Sequence, residues 1–397
     1  MPYRFFCSAI AALSLAAGAQ AQDVAVTPLA APDLFSTGAG DTGLGPDLWR
    51  EASAQTARTV IPLLATKPLS PAARGLARRV LATGAAAPDG AGQDVALAGA
   101  RVAALVALGA VTEADAILSR SAGLDRSPDL ARSAAEAALL TDDPSRACAV
   151  ADGLTVDRDD IYWIRLRAYC QLRNGQAGAA QLTFDLAQGQ SRDAAYGRLM
   201  GAKLAGAGDP GAPSLRNGLD FALSRDLGLD LSAAKPSPAV AAVLSPAAAA
   251  TLPEADDPDL AQAIAAAALG QPDASLLDRL IARAAGVSDP KARPKAQNAA
   301  LLIAALGAPA SATARGELAA YASADTKAPA ARAFALELAA AQKLAGETAL
   351  LALWISAEAG AAGPPTGDRL RIIRALRVAG LEADARAYAV EGLAAQR

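Results

Sequence analysis

The sequence predicts an all-α protein built as a superhelical stack of antiparallel helical hairpins. Three observations carry that prediction. The 397-residue chain is 53% hydrophobic but only 4% aromatic, and its apolar content is mostly alanine and leucine, which lead the helix-propensity ranking. Glycines that close apolar helical stretches recur at a near-constant interval. Strand patterns are hard to find, because β-branched and aromatic residues are few.

The first element is a leader. In MPYRFFCSAIAALSLAAGAQAQD, Arg4 supplies a positive start, Phe5 to Ala17 an apolar core, and Ala19-Gln20-Ala21 a small-x-small cleavage site. Residues 1–21 therefore read as a signal peptide, and the mature chain is expected to begin near Gln22 and to be periplasmic. Cys7 lies inside the apolar core, whereas a lipoprotein cysteine sits at the cleavage point. The apolar run is shorter than the roughly 20 residues of a membrane-spanning helix. No later segment is long and apolar enough to span, so no membrane span is expected after cleavage. Residues 22–46 are rich in Ala, Pro, Thr and Gly. Such a segment has little to bury and is expected to be flexible.

Residues 47–207 read as an N-terminal helical repeat half. Its marks are Gly109, the break at Asp142-Asp143-Pro144, Gly175 and Gly206, in steps of 33, 33 and 31 residues. Within it, Ala85 to Gln93 looks like a loop. Residues 259–397 read as a C-terminal repeat half marked by Gly270, Gly307, Gly346 and Gly380, in steps of 37, 39 and 34. A glycine just past a helix end takes the left-handed conformation that other residues resist. Between the halves, residues 208–258 carry Pro210, Pro213, Pro236, Pro238, Pro246, Pro253 and Pro258. These preclude one long helix and leave a linker or an irregular segment that two short helices fit.

Four of the glycine marks carry an alanine five positions later: Gly109 with Ala114, Gly175 with Ala180, Gly307 with Ala312, and Gly380 with Ala385. On these residues the chain resembles the tetratricopeptide repeat family, whose period is about 34 residues. In that family a glycine ends the first helix, and a small alanine lets the second pack closely. The family's tryptophan and tyrosine positions are mostly absent, and Gly206, Gly270 and Gly346 are followed at that offset by Gly211, Ser275 and Leu351. The resemblance implies a tetratricopeptide-like solenoid over most of the mature chain, with a groove that holds a peptide or protein surface. The C-terminal stretch also resembles a group of alanine-rich exported alphaproteobacterial proteins, a likeness that implies no function.

Aromatic residues are the candidates for a groove. Tyr162, Trp163 and Tyr169 lie on one predicted helix, with Tyr162 and Tyr169 seven apart on one face. They either pack between repeats or bind a partner. Trp354 and Tyr388 read as packing in the C-terminal half.

Cys148 and Cys170 are the two cysteines beyond the leader. Without a CxxC or a histidine they make neither a metal nor a thioredoxin-like site. They fall on adjacent antiparallel helices, about 10 Å out of register unless the loop from Gly153 to Arg158 extends one side. An oxidising compartment favours pairing, which makes them a staple, with two buried thiols as the alternative.

The sequence carries no recognisable catalytic or cofactor motif. The chain has no histidine, which removes the commonest general base and the usual zinc sites. No catalytic residue, cofactor or metal is expected. The acidic clusters Asp157-Asp159-Asp160 and Glu254-Asp256-Asp257 read as helix starts. Formal charge is −3 with Lys and Arg scattered singly, so nucleic acid is not an expected partner. The reading is a non-catalytic periplasmic adaptor or assembly scaffold for a protein or peptide partner in the cell envelope. Its alternative is an accessory or regulatory module of peptidoglycan metabolism, related to superhelical transglycosylase domains.

Overall fold

A computed structural model describes residues 33–121, 123–244, 252–322 and 324–397. The expected signal peptide, its cleavage point and residues 22–32 lie outside the described residues. Among the described residues the chain is helical, with no strand. The first helices are α1 (Ala54–Thr66), α2 (Pro71–Ala82), α3 (Val95–Ala107), α4 (Val111–Leu118), α5 (Pro128–Leu140), α6 (Pro144–Gly153), α7 (Ile161–Arg173) and α8 (Ala177–Gln190). Next come α9 (Ala194–Ala205), α10 (Gly218–Asp226), α11 (Pro238–Leu244), α12 (Pro258–Leu269), α13 (Ala274–Gly286) and α14 (Arg293–Ala305). The last are α15 (Ala312–Ala319), α16 (Ala330–Ala341), α17 (Ala345–Ala359), α18 (Thr366–Val378) and α19 (Glu382–Ala394). Residues 208–258 thus hold α10 and α11, two short helices set among the prolines.

Side-chain caps start many of these helices. Ser70 and Ser127 accept an amide of the first turn while proline occupies the next position, where its missing N–H costs nothing. Asp160 and Asp257, from the two acidic clusters, also accept a first-turn amide and so cap α7 and α12.

Five hairpins share one turn. A residue with positive φ follows the first helix: Gly109 (78°), Asp142 (63°), Gly175 (76°), Lys343 (56°) and Gly380 (83°). The next amide donates to the carbonyl five residues back, as in Ala110 to Leu105 at 2.8 Å and Leu381 to Leu376 at 2.7 Å. This closes orphan carbonyls at the helix end. The second helix begins at the following residue, and five positions past the turn a small residue is fully buried: Ala114, Ala147, Ala180, Thr348 and Ala385. Two sequence marks differ. Gly346 lies inside the first turn of α17, and Lys343 makes the turn instead. The backbone and ring of Leu48–Trp49 lie so close to Gly346 that a Cβ there would collide with them. Ala312 is exposed, because the turn after Gly307 is longer and Ala314 takes the buried place.

The hairpins bury two apolar cores. One runs from Phe35 through α1–α5 and on through α12–α19, and the other is built on α5–α10. Helix α5 serves both. Leu130, Ala134 and Ala137 face the first core, and Ala131, Ala135 and Ala138 the second, as the 3.6-residue period allows. Contacts are not limited to neighbours in sequence, since α1 and α2 pack on α17, and α2 also on α19. Carboxylates make that junction polar. Glu347 accepts from the Ser53 amide and the Thr56 hydroxyl, both at 2.9 Å. Glu391 accepts from the Ala72 amide at 2.7 Å and also pairs with Arg369, while Arg79 pairs with Asp384.

The described part of the expected flexible segment, residues 33–46, is anchored. Phe35 is fully buried and meets Trp49 edge to face, with ring centroids 6.3 Å apart. Buried Arg101 donates to the carbonyls of Leu81, Phe35, Thr37 and Thr83 at 2.7–3.2 Å. Burial lowers its pKa to about 10, which still leaves it charged at neutral pH. The sequence reading weighed composition and missed this single arginine 66 residues away from Phe35.

Two outcomes are expected. Arg101→Met should cost about 3 kcal/mol in denaturant unfolding, because it leaves buried carbonyls without donors. The same change should open residues 33–46 to limited proteolysis. Lys343→Gly should raise stability by roughly 0.5–1 kcal/mol, since glycine removes the left-handed penalty at the cost of some chain entropy. A lower urea midpoint for Lys343→Gly would contradict the shared turn.

Candidate functional site

Helix α5 has a third face. Arg132, Ser133 and Glu136 point away from both cores and line a cleft of about 530 Å³. Its other walls come from the end of α1 and the turn after it (Leu64, Lys67, Leu69), from α2 (Arg74), and from α3 (Ala103, Val106). Arg216 and Asn217 before α10, with Ser237 and Pro238 at the start of α11, complete it. Part of the proline-rich segment is therefore a wall of this cleft.

The lining carries four cations and one carboxyl. Arg216 is neutralised by Asp193 at 2.9 Å and by buried Asp220 at 2.7 Å. Lys67, Arg74 and Arg132 form no ion pair among the described residues, and Arg132 lies over the Tyr162 ring, 4.5 Å from its centroid. Glu136 accepts the Gly218 amide at the start of α10, at 2.6 Å. Burial pushes its carboxyl up from the ordinary 4.5, and Asp220 adds to the rise, against the Gly218 amide, the Tyr162 hydroxyl and Arg132. The Tyr162 hydroxyl is near enough to feel Glu136, which helps burial raise its own pKa. Neither that hydroxyl nor Glu136 Oε1 completes a well-aligned hydrogen bond.

The three candidate aromatics are all buried in the second core. Tyr162 and Trp163 meet edge to face at 5.0 Å, and Tyr169 donates to Asp226 at 3.1 Å. Each packs inside that core. Only Tyr162 touches the cleft lining, from behind, through Arg132 and Glu136. Tyr388 is also buried and shares a hydrogen bond of 2.8 Å with Ser356, and Trp354 is partly buried against the first core beneath Arg332. Cys148 and Cys170 form a disulfide between α6 and α7, with Cα atoms 5.5 Å apart. The connection from 154 to 160 turns through left-handed Asp157 and is braced by Arg158, which donates to the Leu154 carbonyl at 2.8 Å. That irregular loop brings the two cysteines level.

Two helices leave paired leucine-sized side chains in solvent. On α8, Leu182 is 74% exposed and Leu186 58%; on α16, Phe334 is 66% exposed and Leu338 48%. Each pair is spaced i, i+4 and so shares a face. Sequence reading missed both, because they sit among alanines that make every face of these helices apolar. It missed the cleft as well, though Arg132 and Glu136 in the run ARSAAEAALL are charges four apart on one face.

Among the described residues no group of three or more His, Cys, Asp or Glu is placed to hold a metal ion. No helix there is long and apolar enough to cross a membrane. Comparison with family models, curated proteins and solved structures finds no match.

Replacing both Cys148 and Cys170 by alanine should lower stability by about 3 kcal/mol in the loop-entropy picture. Free-thiol titration of the unreduced, denatured protein should find neither cysteine reactive, and two reactive thiols would contradict the pairing.

Proposed function

We propose that this chain is a non-catalytic, periplasmic adaptor or assembly scaffold, a tetratricopeptide-like stack of hairpins that holds a protein or peptide partner of the cell envelope. The observation that carries the reading is the pair of exposed apolar helix faces, Leu182 with Leu186 and Phe334 with Leu338. Large apolar side chains at i, i+4 on a helix surface serve as anchors for protein contacts. The turn shared by five hairpins supports the repeat architecture, since repeat stacks present long binding surfaces. The leader sequence and the disulfide support an exported location.

A pull-down from envelope extracts tests the reading. The wild-type chain should retain specific proteins. L182E/L186E or F334E/L338E should lose them while melting at an unchanged temperature. Retention that survives both double substitutions would move the interface elsewhere. Co-sedimentation with peptidoglycan, with no protein retained, would favour the cell-wall accessory module instead.

A further inference from the structure

We propose that the cleft between α1, α3 and α5 is a binding site for a single-chain anionic amphiphile, an aliphatic body ending in a carboxylate or phosphate. This goes beyond the adaptor reading and does not depend on it. The size is that of a small-molecule site, since such pockets run from about 300 to 1,000 Å³. Its walls are chiefly aliphatic, with Leu64, Leu69 and Val106 among them. Its charge is lopsided in a chain of net −3, because Lys67 and Arg74 have no carboxylate partner among the described residues, and Arg132 has Glu136 nearby but forms no ion pair with it. An apolar body satisfies the walls, and an anionic head satisfies the cations.

Hydrogen bonding argues against a peptide in the same place. A buried peptide backbone needs partners for its N–H and C=O groups. Asn217 already accepts the Asp220 amide at the start of α10, and Ser237 the Val240 amide at the start of α11. Glu136 gives one oxygen to the Gly218 amide, and its carboxyl also feels the Tyr162 hydroxyl behind the wall. The lining thus has cations to spare and few acceptors left for amide N–H groups, which matches an acyl chain with one charged end.

Glu136 opposes an anion from the α5 wall, so removing its charge should tighten binding. Glutamine keeps an oxygen for the Gly218 amide, which makes Glu136→Gln an isosteric test.

The test is calorimetric titration of the full chain with dodecanoate and dodecyl phosphate, each below micelle formation, against dodecanol. The two anions should bind saturably and at least about tenfold more tightly than the alcohol. K67E/R132E should weaken them by about tenfold or more, and Glu136→Gln should strengthen them severalfold. If K67E/R132E melts early, K67Q/R132Q replaces it with the same expected direction. Equal binding of anion and alcohol overturns the proposal, as does indifference to the cation substitutions or the absence of saturable binding. Tighter binding of acetyl-Leu-Ala-Leu-Ala than of dodecanoate would overturn it in favour of a peptide site. Envelope proteins retained by a K67E/R132E chain would leave the adaptor reading intact in any of these cases.

Discussion

The left-handed residue between paired helices is the constraint on which the hairpins depend. It ends one helix, closes its last carbonyls through the following amide, and starts the next helix at once. The pairs are then close enough for alanine to be a sufficient contact. Alanine buries little area, so an alanine-faced helix gains stability only where its partner's backbone comes near. Ala114, Ala147, Ala180 and Ala385 sit at the fourth residue of the second helix, and each is fully buried. A larger residue at these positions would push the helices apart and expose the leucines beside them.

Alanine contacts bury little area each, and polar ties between distant elements add to them. Glu347 and Glu391 place carboxylates at the N-termini of α1 and α2, where free amides and the helix dipole favour negative charge. Arg101 answers the opposite need, donating to carbonyls at the C-terminal end of α2 and to the segment that runs past it. Helix ends that would otherwise be buried without partners are satisfied by residues more than 250 positions away, or by one buried guanidinium. The apolar core and these ties act together, because each carboxylate also fixes the distance at which α17 and α19 meet α1 and α2.

What was legible in the sequence divides along the same line. Features set by local chemistry could be read. Glycine signals the left-handed turns at Gly109, Gly175 and Gly380; acidic clusters signal helix starts at Asp160 and Asp257; and two cysteines without a CxxC or a histidine signal a staple. Features set by distant partners could not. The break at Asp142 was legible, but not its left-handed conformation, and Lys343 makes the same turn without the glycine that announces it. Gly346 is there for Trp49, nearly 300 residues earlier. The flexible reading of residues 33–46 rested on composition, which carries no sign that Phe35 has a slot beside Arg101. The cleft draws its lining from α1, α2, α3, α5 and the proline-rich segment, so no single window of sequence contains it.

Glu136 shows how such a site can hold opposed tendencies together. Its carboxyl lies where burial and Asp220 disfavour the charge, while the Gly218 amide, Tyr162 and Arg132 favour it, and burial prevails. A carboxyl whose folded pKa is raised binds its proton more tightly in the folded state. It therefore contributes stability that is fully present below the ordinary 4.5 and is lost as pH rises through the folded value. The same titration sets the charge of the cleft. Above the folded value Glu136 offsets one of the cations, and below it Lys67, Arg74 and Arg132 stand unopposed while the fold is at its most stable with respect to this group. Acidification thus pushes cleft charge and local stability in one direction, and an anion in the cleft would reinforce both by favouring the protonated carboxyl beside it. Any ligand that prefers neutral Glu136 must in turn raise its pKa, because binding and protonation are linked reciprocally.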